Sequence, residues 1–406
     1  MICFDEALKI VLDSVQPTER IELPLLNALG LVAAEEVESA ERIPPFDNSA
    51  MDGYAVRAQD TAGASKDRPA ELKVILNLPA GKHTDRTVGP GEAIRIMTGA
   101  PIPAGADTVV QVELTERLSD GAVKILQEHE KNKNIRMAGE DIFIGQKVLT
   151  AGEEITPAKL GLLASIGRAN LRVYRRPRVA ILATGDELVN PGEPLAPGKI
   201  RNSNSYTMIA QTRICGAEPA YLGIARDTKE DVRDHIQDGM SADVILTSGG
   251  VSVGDYDYVK DAFQELGVEF RFTKVAIKPG MPTVFGLWRG KLVFGLPGNP
   301  VSSMVIFEEF VRPALLKMMG KCKLRRPLIE AVLEGDVKKN PERMHLVRGI
   351  VRREADGYRV STTGPQGSGI LLSMDHANGI MMLPKGIQLK KGDRVKVQLI
   401  TLPEVD

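Results

Sequence analysis

The stretch TSGGVSVGDYDYVK, residues 247–260, places glycines, hydroxyl groups and acids directly after the apolar run DVIL. Paired glycines let the backbone approach a ligand closely and permit positive φ. The two acids precede an apparent helix, so they either bind a ligand or cation or simply cap that helix. No Gly-Lys-Ser/Thr closes the stretch, so it is not a Walker P-loop. The binding candidates are Ser248, Gly249, Gly250, Ser252, Asp255 and Asp257.

A second acidic turn, ATGDEL, occupies residues 183–188 and also follows an apolar run. Asp186 and Glu187 are adjacent in it. They form either an ordinary acidic loop or a carboxylate pair that holds Mg²⁺ or hydrogen-bonds a ligand.

The third stretch, GLPGNPVSSMVIFEEF, predicts a helix that Asn299 caps and Pro300 begins. Ser302 and Ser303 fall in its first turn, where free backbone N–H groups favour an anion or phosphate. A capped helix without a ligand is the alternative. Lys278 precedes Pro-Gly in KVAIKPGMPTVFG, so a loop presents this cation beside the predicted anion site.

These turns are positioned by alternating strands and helices from about residue 176 to 325. Helical segments are predicted near residues 204–215, 228–239, 257–267 and 300–318. This alternation predicts a parallel sheet with helices on both faces, a three-layer α/β domain. Ligands of such sheets bind outside the carboxyl ends of the strands, where the three turns lie.

The flanking regions have different patterns. FDEALKIVLDSV and residues 156–167 have helical spacing of apolar residues, whereas residues 55–150 contain short β-rich runs. After residue 327 strand-like runs return, with an Asp356-Gly357 turn between two of them. We therefore expect an elongated helical and β N-terminal region and a separate C-terminal β domain.

Composition narrows the class of protein. A chain of 406 residues predicts two to four domains, and a net charge of −1 gives no basic field for nucleic acid. No apolar run is long enough to cross a bilayer and no secretory pattern begins the chain, so a cytoplasmic location is expected. The three cysteines and five histidines lack metal-ligand spacing, so soft ligands for a transition metal would come from the substrate.

Six motifs in order give the chain a family resemblance: PPFDNSAMDGYAV, RIMTGAPIPAGADTVV, ATGDEL, TSGGVSVGDYDYVK, KPGMPT and LPGNPVSS. The chain resembles the MoeA family of molybdopterin molybdenumtransferases, whose eukaryotic relatives include gephyrin. The resemblance implies a homodimer whose active cleft lies between the α/β domain of one subunit and the N-terminal region of the other. It also implies four domains: residues 1–26 with 140–175 (elongated), 27–139 (β subdomain), 176–325 (α/β) and 326–406 (C-terminal β barrel).

The implied reaction is Mg²⁺-assisted insertion of molybdate into adenylylated molybdopterin, with release of AMP and of molybdenum cofactor. The pterin dithiolene would supply the sulfur ligands of the metal. The resemblance suggests, as protein partners, the molybdopterin adenylyltransferase and proteins that mature molybdoenzymes. It implies no nucleic acid and no membrane.

Site roles also follow from the resemblance. The turn 248–257 would bind the pterin and its phosphate, together with Pro297, Gly298, Asn299, Ser302 and Ser303. The catalytic candidates are Asp52, Thr98, Glu187, Asp227, Asp257, Lys274 and Lys278. The molybdate candidates are Lys278, Arg343, Arg348 and Ser373, and the Mg²⁺ candidates are Asp186 and Glu187. Asp227 is otherwise a helix cap, Asp52 a turn former and Thr98 a turn hydroxyl. Met281 stands where relatives carry a second lysine in this loop, so the oxyanion pocket differs there.

Two other functions remain open from the sequence. One alternative is an adenylyltransferase that transfers AMP from ATP to molybdopterin. The related enzymes for that step are short single-domain proteins. Alternatively it would be a scaffold or binding protein. The sequence does not choose between molybdate and tungstate, or between molybdate oxygen and water as the attacking group.

Overall fold

The structure is a computed structural model that describes residues 1–118, 121–251, 258–337 and 342–403. Within these ranges the chain forms three six-stranded sheets, each in a different part of the chain, and several two-stranded pairings. The multidomain α/β and β architecture predicted from the sequence is confirmed. In the same ranges, no helix combines the length and the apolar character needed to cross a membrane.

The N-terminal region, residues 1–175, is mostly β-structure with two α-helices among its described residues. Its elements are α1 (Phe4–Asp13), β1 (Arg20–Pro24), β2 (Val37–Glu38), β3 (Asn48–Ser49), β4 (Gly53–Val56), β5 (Ala70–Leu78), β6 (Glu92–Ile96), β7 (Thr108–Gln111), β8 (Thr115–Arg117), β9 (Ala122–Ile125), β10 (Ile135–Arg136), β11 (Lys147–Leu149), α2 (Pro157–Ser165) and β12 (Asn170–Tyr174). Short 3₁₀ helices span Leu25–Ala28, Ala58–Thr61 and Val112–Leu114.

This region consists of two parts, each with its own buried apolar residues. Strands β4 to β9 form one six-stranded sheet in the order β7-β4-β6-β5-β9-β8, which is the predicted β-rich part. Strand β1 pairs antiparallel with β12, and β2 pairs with β11, so segments before and after that sheet share a second core. Helix α2 packs in this second core through Leu163, and the Thr156 hydroxyl caps it by accepting from the Lys159 N–H at 3.2 Å. The predicted domain boundaries within residues 1–175 stay predictions.

The α/β domain alternates strands and helices as predicted. Its elements are β13 (Arg178–Thr184), β14 (Leu188–Val189), β15 (Ile200–Arg201), α3 (Asn204–Cys215), β16 (Glu218–Ala225), α4 (Lys229–Gly239), β17 (Val244–Ser248), α5 (Tyr258–Glu265), β18 (Glu269–Phe272), β19 (Ile277–Lys278), β20 (Val284–Trp288), β21 (Lys291–Leu296), α6 (Pro300–Ile306) and α7 (Arg312–Met318). A π-helical turn, Phe307–Val311, joins α6 to α7.

The sheet order is β16-β13-β17-β21-β20-β18. The first four strands are parallel, and β20 and β18 add an antiparallel edge. Strand β17 is buried along its whole length, with Val244 and Leu246 in one core and Ile245 in the other, because successive side chains point to opposite faces. Helices α3, α6 and α7 cover one face and α4 and α5 the other, so the three-layer prediction is confirmed.

Helix α1 packs on this α/β domain, although it begins the chain. Its buried residues Phe4, Leu8 and Val11 join the core that α3 and α7 form on the sheet. The rings of Phe4 and Phe310 lie 5.4 Å apart. The helical spacing of the first residues predicted the helix itself, while its packing partner is set by the tertiary structure.

The C-terminal domain contains β22 (Leu328–Leu333), β23 (Met344–Glu354), β24 (Gly357–Thr362), α8 (Leu372–Asp375), β25 (Gly379–Leu383) and β26 (Arg394–Leu399). The strand order β23-β24-β22-β26-β25 closes on itself through a β23–β25 pairing, so the predicted barrel is confirmed. The predicted Asp356-Gly357 turn joins β23 to β24. Strand β19 of the α/β domain adds to the barrel by pairing with β23.

The α/β domain and the barrel share a buried contact. Val301 and Val305 of α6 pack against Leu346 of β23 and Ile380 of β25. Beside them, the Gln398 amide on β26 donates to the Glu309 carboxyl at 2.9 Å. Burial, and secondly the neighbouring Glu308 carboxylate, raise the pKa of Glu309 from 4.5 to about 7.

We predict that this buried acid makes the protein less stable as the pH rises. Because its pKa is higher in the folded than in the unfolded chain, its contribution is complete below the ordinary value and is lost as the pH passes about 7. Glu309→Gln imitates the protonated acid. Between about pH 5 and about pH 8 the variant should gain about 2–3 kcal/mol of unfolding free energy relative to the wild type.

Urea denaturation at the two pH values measures this gain. Glu116→Gln, an exposed change on β8, is the control and should show no pH-dependent difference. Equal pH dependence of Glu309→Gln and the wild type would contradict the prediction.

Candidate functional site

The carboxyl ends of the parallel strands β13, β17 and β21 open onto a cavity of about 240 Å³, which we call the tip cavity. It is lined by residues of the loops that follow these strands and by the start of α3. The lining includes Thr184, Glu187, Asn204, Ser248, Gly249, Gly298 and Pro300. The candidate site was expected at these strand ends, and described residues of the three predicted turns line this one cavity.

Gly249 makes this close assembly of loops possible. Its φ is +98°, and a Cβ atom at this position would lie 2.7 Å from the Thr184 carbonyl oxygen. Its N–H donates to the Leu296 carbonyl at 3.1 Å, which joins the ends of β17 and β21. Glycine was expected here because the backbone approaches a ligand closely. In the structure the close approach of Gly249 is to Thr184 of the chain's own neighbouring strand end. Ser252, Asp255 and Asp257 lie outside the described residues.

The acids of the tip are linked across two strand ends. The Asp186 N–H donates to the Asp227 carboxylate at 3.1 Å, and the Asp227 N–H donates to the Asp186 carboxylate at 3.2 Å. The alternative role of Asp227 as a helix cap is wrong, because the Thr228 hydroxyl caps α4 by accepting from the Asp231 N–H. Glu187 lines the tip cavity next to this pair.

A larger cavity, of about 900 Å³, lies between the α/β domain and the barrel, and we call it the interdomain cavity. Lys278, Arg343 and His345 line it. The pairing of β19 with β23 places Lys278 opposite His345. An Arg343 guanidinium N–H donates to the Met281 sulfur at 3.2 Å, so Met281 contacts one of the cations of this cavity.

The segment Pro297–Pro300 is the wall between the two cavities. Pro297, Asn299 and the following Ser302 line the interdomain cavity, whereas Gly298 and Pro300 line the tip cavity. A ligand that contacts both sides of this wall would therefore place one part near the acids and another near the cations.

The start of α6 differs from the predicted anion site. The Asn299 side chain makes no capping hydrogen bond and lines the interdomain cavity, so the predicted side-chain cap is wrong. Backbone carbonyls take two of the first N–H groups: Ser368 accepts from Val301 at 3.1 Å and Asn299 accepts from Ser303 at 3.0 Å. Ser303 is fully buried, and its hydroxyl has no partner among the described residues.

Arg348 and Ser373 lie in the barrel behind the lining of the interdomain cavity. The Arg348 Nε donates to the Ser373 hydroxyl at 3.1 Å, and its Nη2 donates to the Gly367 carbonyl at 3.0 Å. Arg348 is fully buried, and its Nη1 has no partner in the described part of the chain. Burial lowers the pKa of Arg348 to about 10. A buried cation with a free N–H is an attractive partner for an anion.

His345 is a further candidate residue. From the sequence it was only one of five histidines without metal-ligand spacing. It is 8% exposed, and neither ring nitrogen has a partner among the described residues. Burial, then the cations Lys278 and Arg348, lower the pKa of His345 to about 4, so its ring is neutral near pH 7. Nothing in the sequence pattern distinguishes this histidine, because its surroundings come from strand pairing.

Asp52 and Thr98 form a separate pair in the β-rich N-terminal region. The Thr98 N–H and hydroxyl both donate to one Asp52 carboxylate oxygen at 2.7 Å. The backbone N–H and then the hydroxyl of Thr98 hold the pKa of Asp52 below its ordinary value, so it stays ionised. Neither residue lines the two cavities, and Lys274 does not line them either.

Comparison with known proteins agrees along the chain. Family profiles match in order: the MoeA N-terminal region (domains I and II) at residues 2–167, a probable molybdopterin binding domain at 180–317 and the MoeA C-terminal region (domain IV) at 330–400. Together they span more than half of the sequence.

Similar proteins match over nearly the full length. Molybdopterin molybdenumtransferase 2 of Mycobacterium tuberculosis is 41% identical over 404 residues, which cover 97% of this chain and 98% of the relative. Molybdopterin molybdenumtransferase of Bacillus subtilis is 37% identical, with coverage of 98% and 93%. The crystal structure of the molybdopterin biosynthesis MoeA protein from Pyrococcus horikosii aligns with a TM-score of 0.83 at 34% identity, covering 99% of both chains.

We predict that Gly249→Ala destabilises the tip more than an ordinary glycine substitution. The alanine must adopt positive φ and must also displace the Thr184 carbonyl. Gly290 is the matched control, because its φ is +81° but a Cβ there meets nothing within 4 Å.

We expect a loss of about 1 kcal/mol for Gly290→Ala and at least about 2 kcal/mol for Gly249→Ala, measured by urea denaturation. Equal losses would show that the approach of Gly249 to Thr184 is not a tight constraint.

Proposed function

This chain belongs to the MoeA family, and we propose that it inserts molybdate into adenylylated molybdopterin, releasing AMP and forming molybdenum cofactor. Relatives named molybdopterin molybdenumtransferase, similar over almost the whole chain, support this transferase activity. In the reaction an oxygen of water or of molybdate attacks the phosphoanhydride and AMP leaves. The two dithiolene sulfurs replace oxygen on molybdate, and this oxygen leaves as water with the thiol protons.

The observation that carries the proposal is the pair of cavities on the two sides of the wall 297–300. Lys278 and Arg343 line the interdomain cavity together with Asp336, and Glu187 lines the tip cavity together with Arg201. Lys278 and Arg343 on the interdomain side form no ion pair with a described carboxylate, and neither does the buried Arg348 behind them. On the tip side, the carboxylates of Asp186, Glu187 and Asp227 form no ion pair with a described lysine or arginine, although the Lys199 amine donates to the backbone carbonyl of Asp186. Molybdate suits the cations by the same chemistry as phosphate, and a metal-bound phosphoanhydride suits the acids.

Asp186 and Glu187 are the candidate ligands of a magnesium ion, and since no group of three acids, histidines or cysteines among the described residues could hold a metal ion, the substrate would have to supply further ligands. Mg²⁺ binds oxygen ligands and usually takes one or two protein carboxylates together with substrate phosphates and water. Asp186 and Glu187 would hold it, with Asp227 fixed beside them by the reciprocal backbone hydrogen bonds. Held by these residues, the ion would supply charge that polarises the phosphoanhydride and stabilises the departing AMP.

The chain's own groups contribute positioning and charge. Ser248 and the backbone of Gly249 and Gly250 line or border the tip cavity and would hold the pterin nucleotide. Pro297, Gly298, Asn299 and Ser302 line the two sides of the wall and would contact its phosphates. Lys278 and Arg343 would bind the oxyanion, with Arg348 and Ser373 in support from behind. Holding both reactants in place removes much of the entropic barrier, and no covalent step with the protein is needed.

A second copy of the chain would complete the site. Asp52 and Thr98 line neither cavity of their own chain, and the ionised Asp52 is exposed to solvent. Exposed apolar side chains occur in the same region, including Phe46, Met51, Met137, Phe143 and Ile144. We therefore propose a homodimer in which Asp52 and Thr98 face the partner's cleft.

Lys278→Gln should weaken the use of molybdate. Loss of the cation from the interdomain cavity should raise the molybdate concentration for half-maximal AMP release about tenfold, with little change in the maximal rate. The measurement is a molybdate titration of AMP release from adenylylated molybdopterin. Lys66→Gln, an exposed lysine of the β-rich region, is the control. Release of AMP that does not depend on molybdate would refute the proposed function.

Asp186→Asn should instead slow the reaction. Removing one carboxylate charge at the tip should lower the rate of AMP release about a hundredfold and raise the Mg²⁺ concentration required. Asp238→Asn, an exposed change on α4, is the control. The same assay tests the two alternatives: AMP–pterin formed from Mg-ATP without molybdate supports an adenylyltransferase, and binding without AMP release supports a scaffold.

A further inference from the structure

Asn204, the first residue of α3, connects loops that follow two different strands. Its side-chain amide nitrogen donates to the Ser248 hydroxyl at 2.7 Å and to the Gly298 carbonyl at 2.7 Å. Ser248 ends β17, and Gly298 belongs to the wall between the tip and interdomain cavities. One side chain therefore fixes the position of the wall relative to the tip of the sheet.

The helix does not require this side chain. The N-cap position of α3 is Ser203, which makes no side-chain capping bond. The first turn is satisfied instead by Asn202, whose carbonyl oxygen Oδ1 accepts from the Ser205 N–H at 3.1 Å. Because Asn202 caps the start of α3, the side chain of Asn204 is not needed for capping. Its two hydrogen bonds go to Ser248 and Gly298 at the site.

The remaining polar atom of Asn204 has no partner. Its Oδ1 is buried and accepts no hydrogen bond from the described residues. The Thr184 hydroxyl, which lines the same cavity, is also buried and unpartnered, and Thr184 is only 5% exposed. A buried acceptor without a donor is costly, so both atoms call for a ligand with hydrogen-bonding groups. An amide oxygen only accepts, so the ligand group opposite Asn204 must be an N–H or O–H donor.

We propose that Asn204 is a positioning residue for the wall 297–300 and, through Oδ1, accepts a hydrogen bond from an N–H on the ring edge of a heteroaromatic substrate. The substrate class rests on the function proposed above. Both rings of an adenylylated pterin, the pterin and the adenine, carry such N–H groups, and the chemistry that Oδ1 recognises is common to them. Because Asn299 and Ser302 line the other side of the wall, Asn204 also affects the interdomain cavity.

The test compares Asn204→Ala with Arg213→Ala in the intact protein. Arg213 is an exposed residue of the same helix and lines neither cavity, so its change should leave both cavities unaltered. Asn204→Ala should raise the KM for adenylylated molybdopterin about tenfold. It should also raise the molybdate concentration for half-maximal AMP release, because the wall loses its tie.

Asn204→Asp separates the two roles. Aspartate keeps an acceptor oxygen but loses both N–H donors, so the wall should loosen and molybdate use should weaken, with a smaller effect on the KM for the pterin nucleotide. Equilibrium binding of AMP alone identifies the ring: weaker AMP binding by Asn204→Ala points to adenine, and unchanged AMP binding with the higher KM points to the pterin.

Thermal unfolding of each variant distinguishes a general loss of folding from a local effect on the site. A general loss of folding would lower Tm without changing the KM or the molybdate constant of the protein that remains folded. The inference is overturned if Asn204→Ala changes neither constant, or if Arg213→Ala changes them equally, provided that the wild-type protein releases AMP with molybdate. Failure of the wild type to do so overturns the proposed function instead.

Discussion

The proposed function depends on keeping Lys278 and Arg343 of the interdomain cavity apart from the acids of the strand tips. Lys278 and Arg343 would form ordinary ion pairs with Asp186 and Glu187 if the loops allowed contact, and both sets would then be unavailable to a ligand. The wall 297–300 prevents this by standing between the tip cavity and the interdomain cavity. Among the described residues, neither set of charges is paired with the other across it. A substrate with a metal-bound phosphoanhydride and an oxyanion partner has the complementary distribution of charge.

The fold holds the wall from three directions. The pairing of β19 with β23 attaches the segment that contains Lys278 to the barrel. The Val301 N–H, just after the wall, donates to the carbonyl of Ser368 in the C-terminal domain. The packing of α6 against β23 and β25 fixes the helix that follows the wall. On the tip side Asn204 holds Gly298. Motion of the barrel relative to the sheet would therefore change both cavities at once.

Some of the buried polar groups that lack partners lie at or beside these cavities. Thr184 and Asn204 at the tip, and His345 and Arg348 at the barrel, contain buried polar atoms without hydrogen-bond partners in the described ranges. Leaving such groups unsatisfied costs stability, and in folded proteins such exceptions are expected at functional sites or where water or an ion supplies the missing bond. Glu309 differs, because it is bonded to Gln398 and its raised pKa reflects burial in the contact between domains.

Local pattern in the sequence was sufficient to predict the elements and the place of the site. Apolar spacing located α1, α2 and the alternating strands and helices of residues 178–318, and the turn at Asp356-Gly357 located a hairpin. Glycine-rich and acidic turns after apolar runs located the strand tips, because parallel strands bring their carboxyl ends to one edge. These properties depend on neighbours along the chain.

Only the tertiary structure decided which partner each element or side chain contacts. It placed α1 on the α/β sheet, gave the cap of α4 to Thr228 in place of Asp227, and turned Asn299 from a cap into a cavity residue. It also gave Asn204 and His345 their surroundings, through loops and strands distant in sequence. Hydrogen bonding and burial at these positions depend on pairings between distant segments, and local residue patterns do not encode which distant segment will be the neighbour.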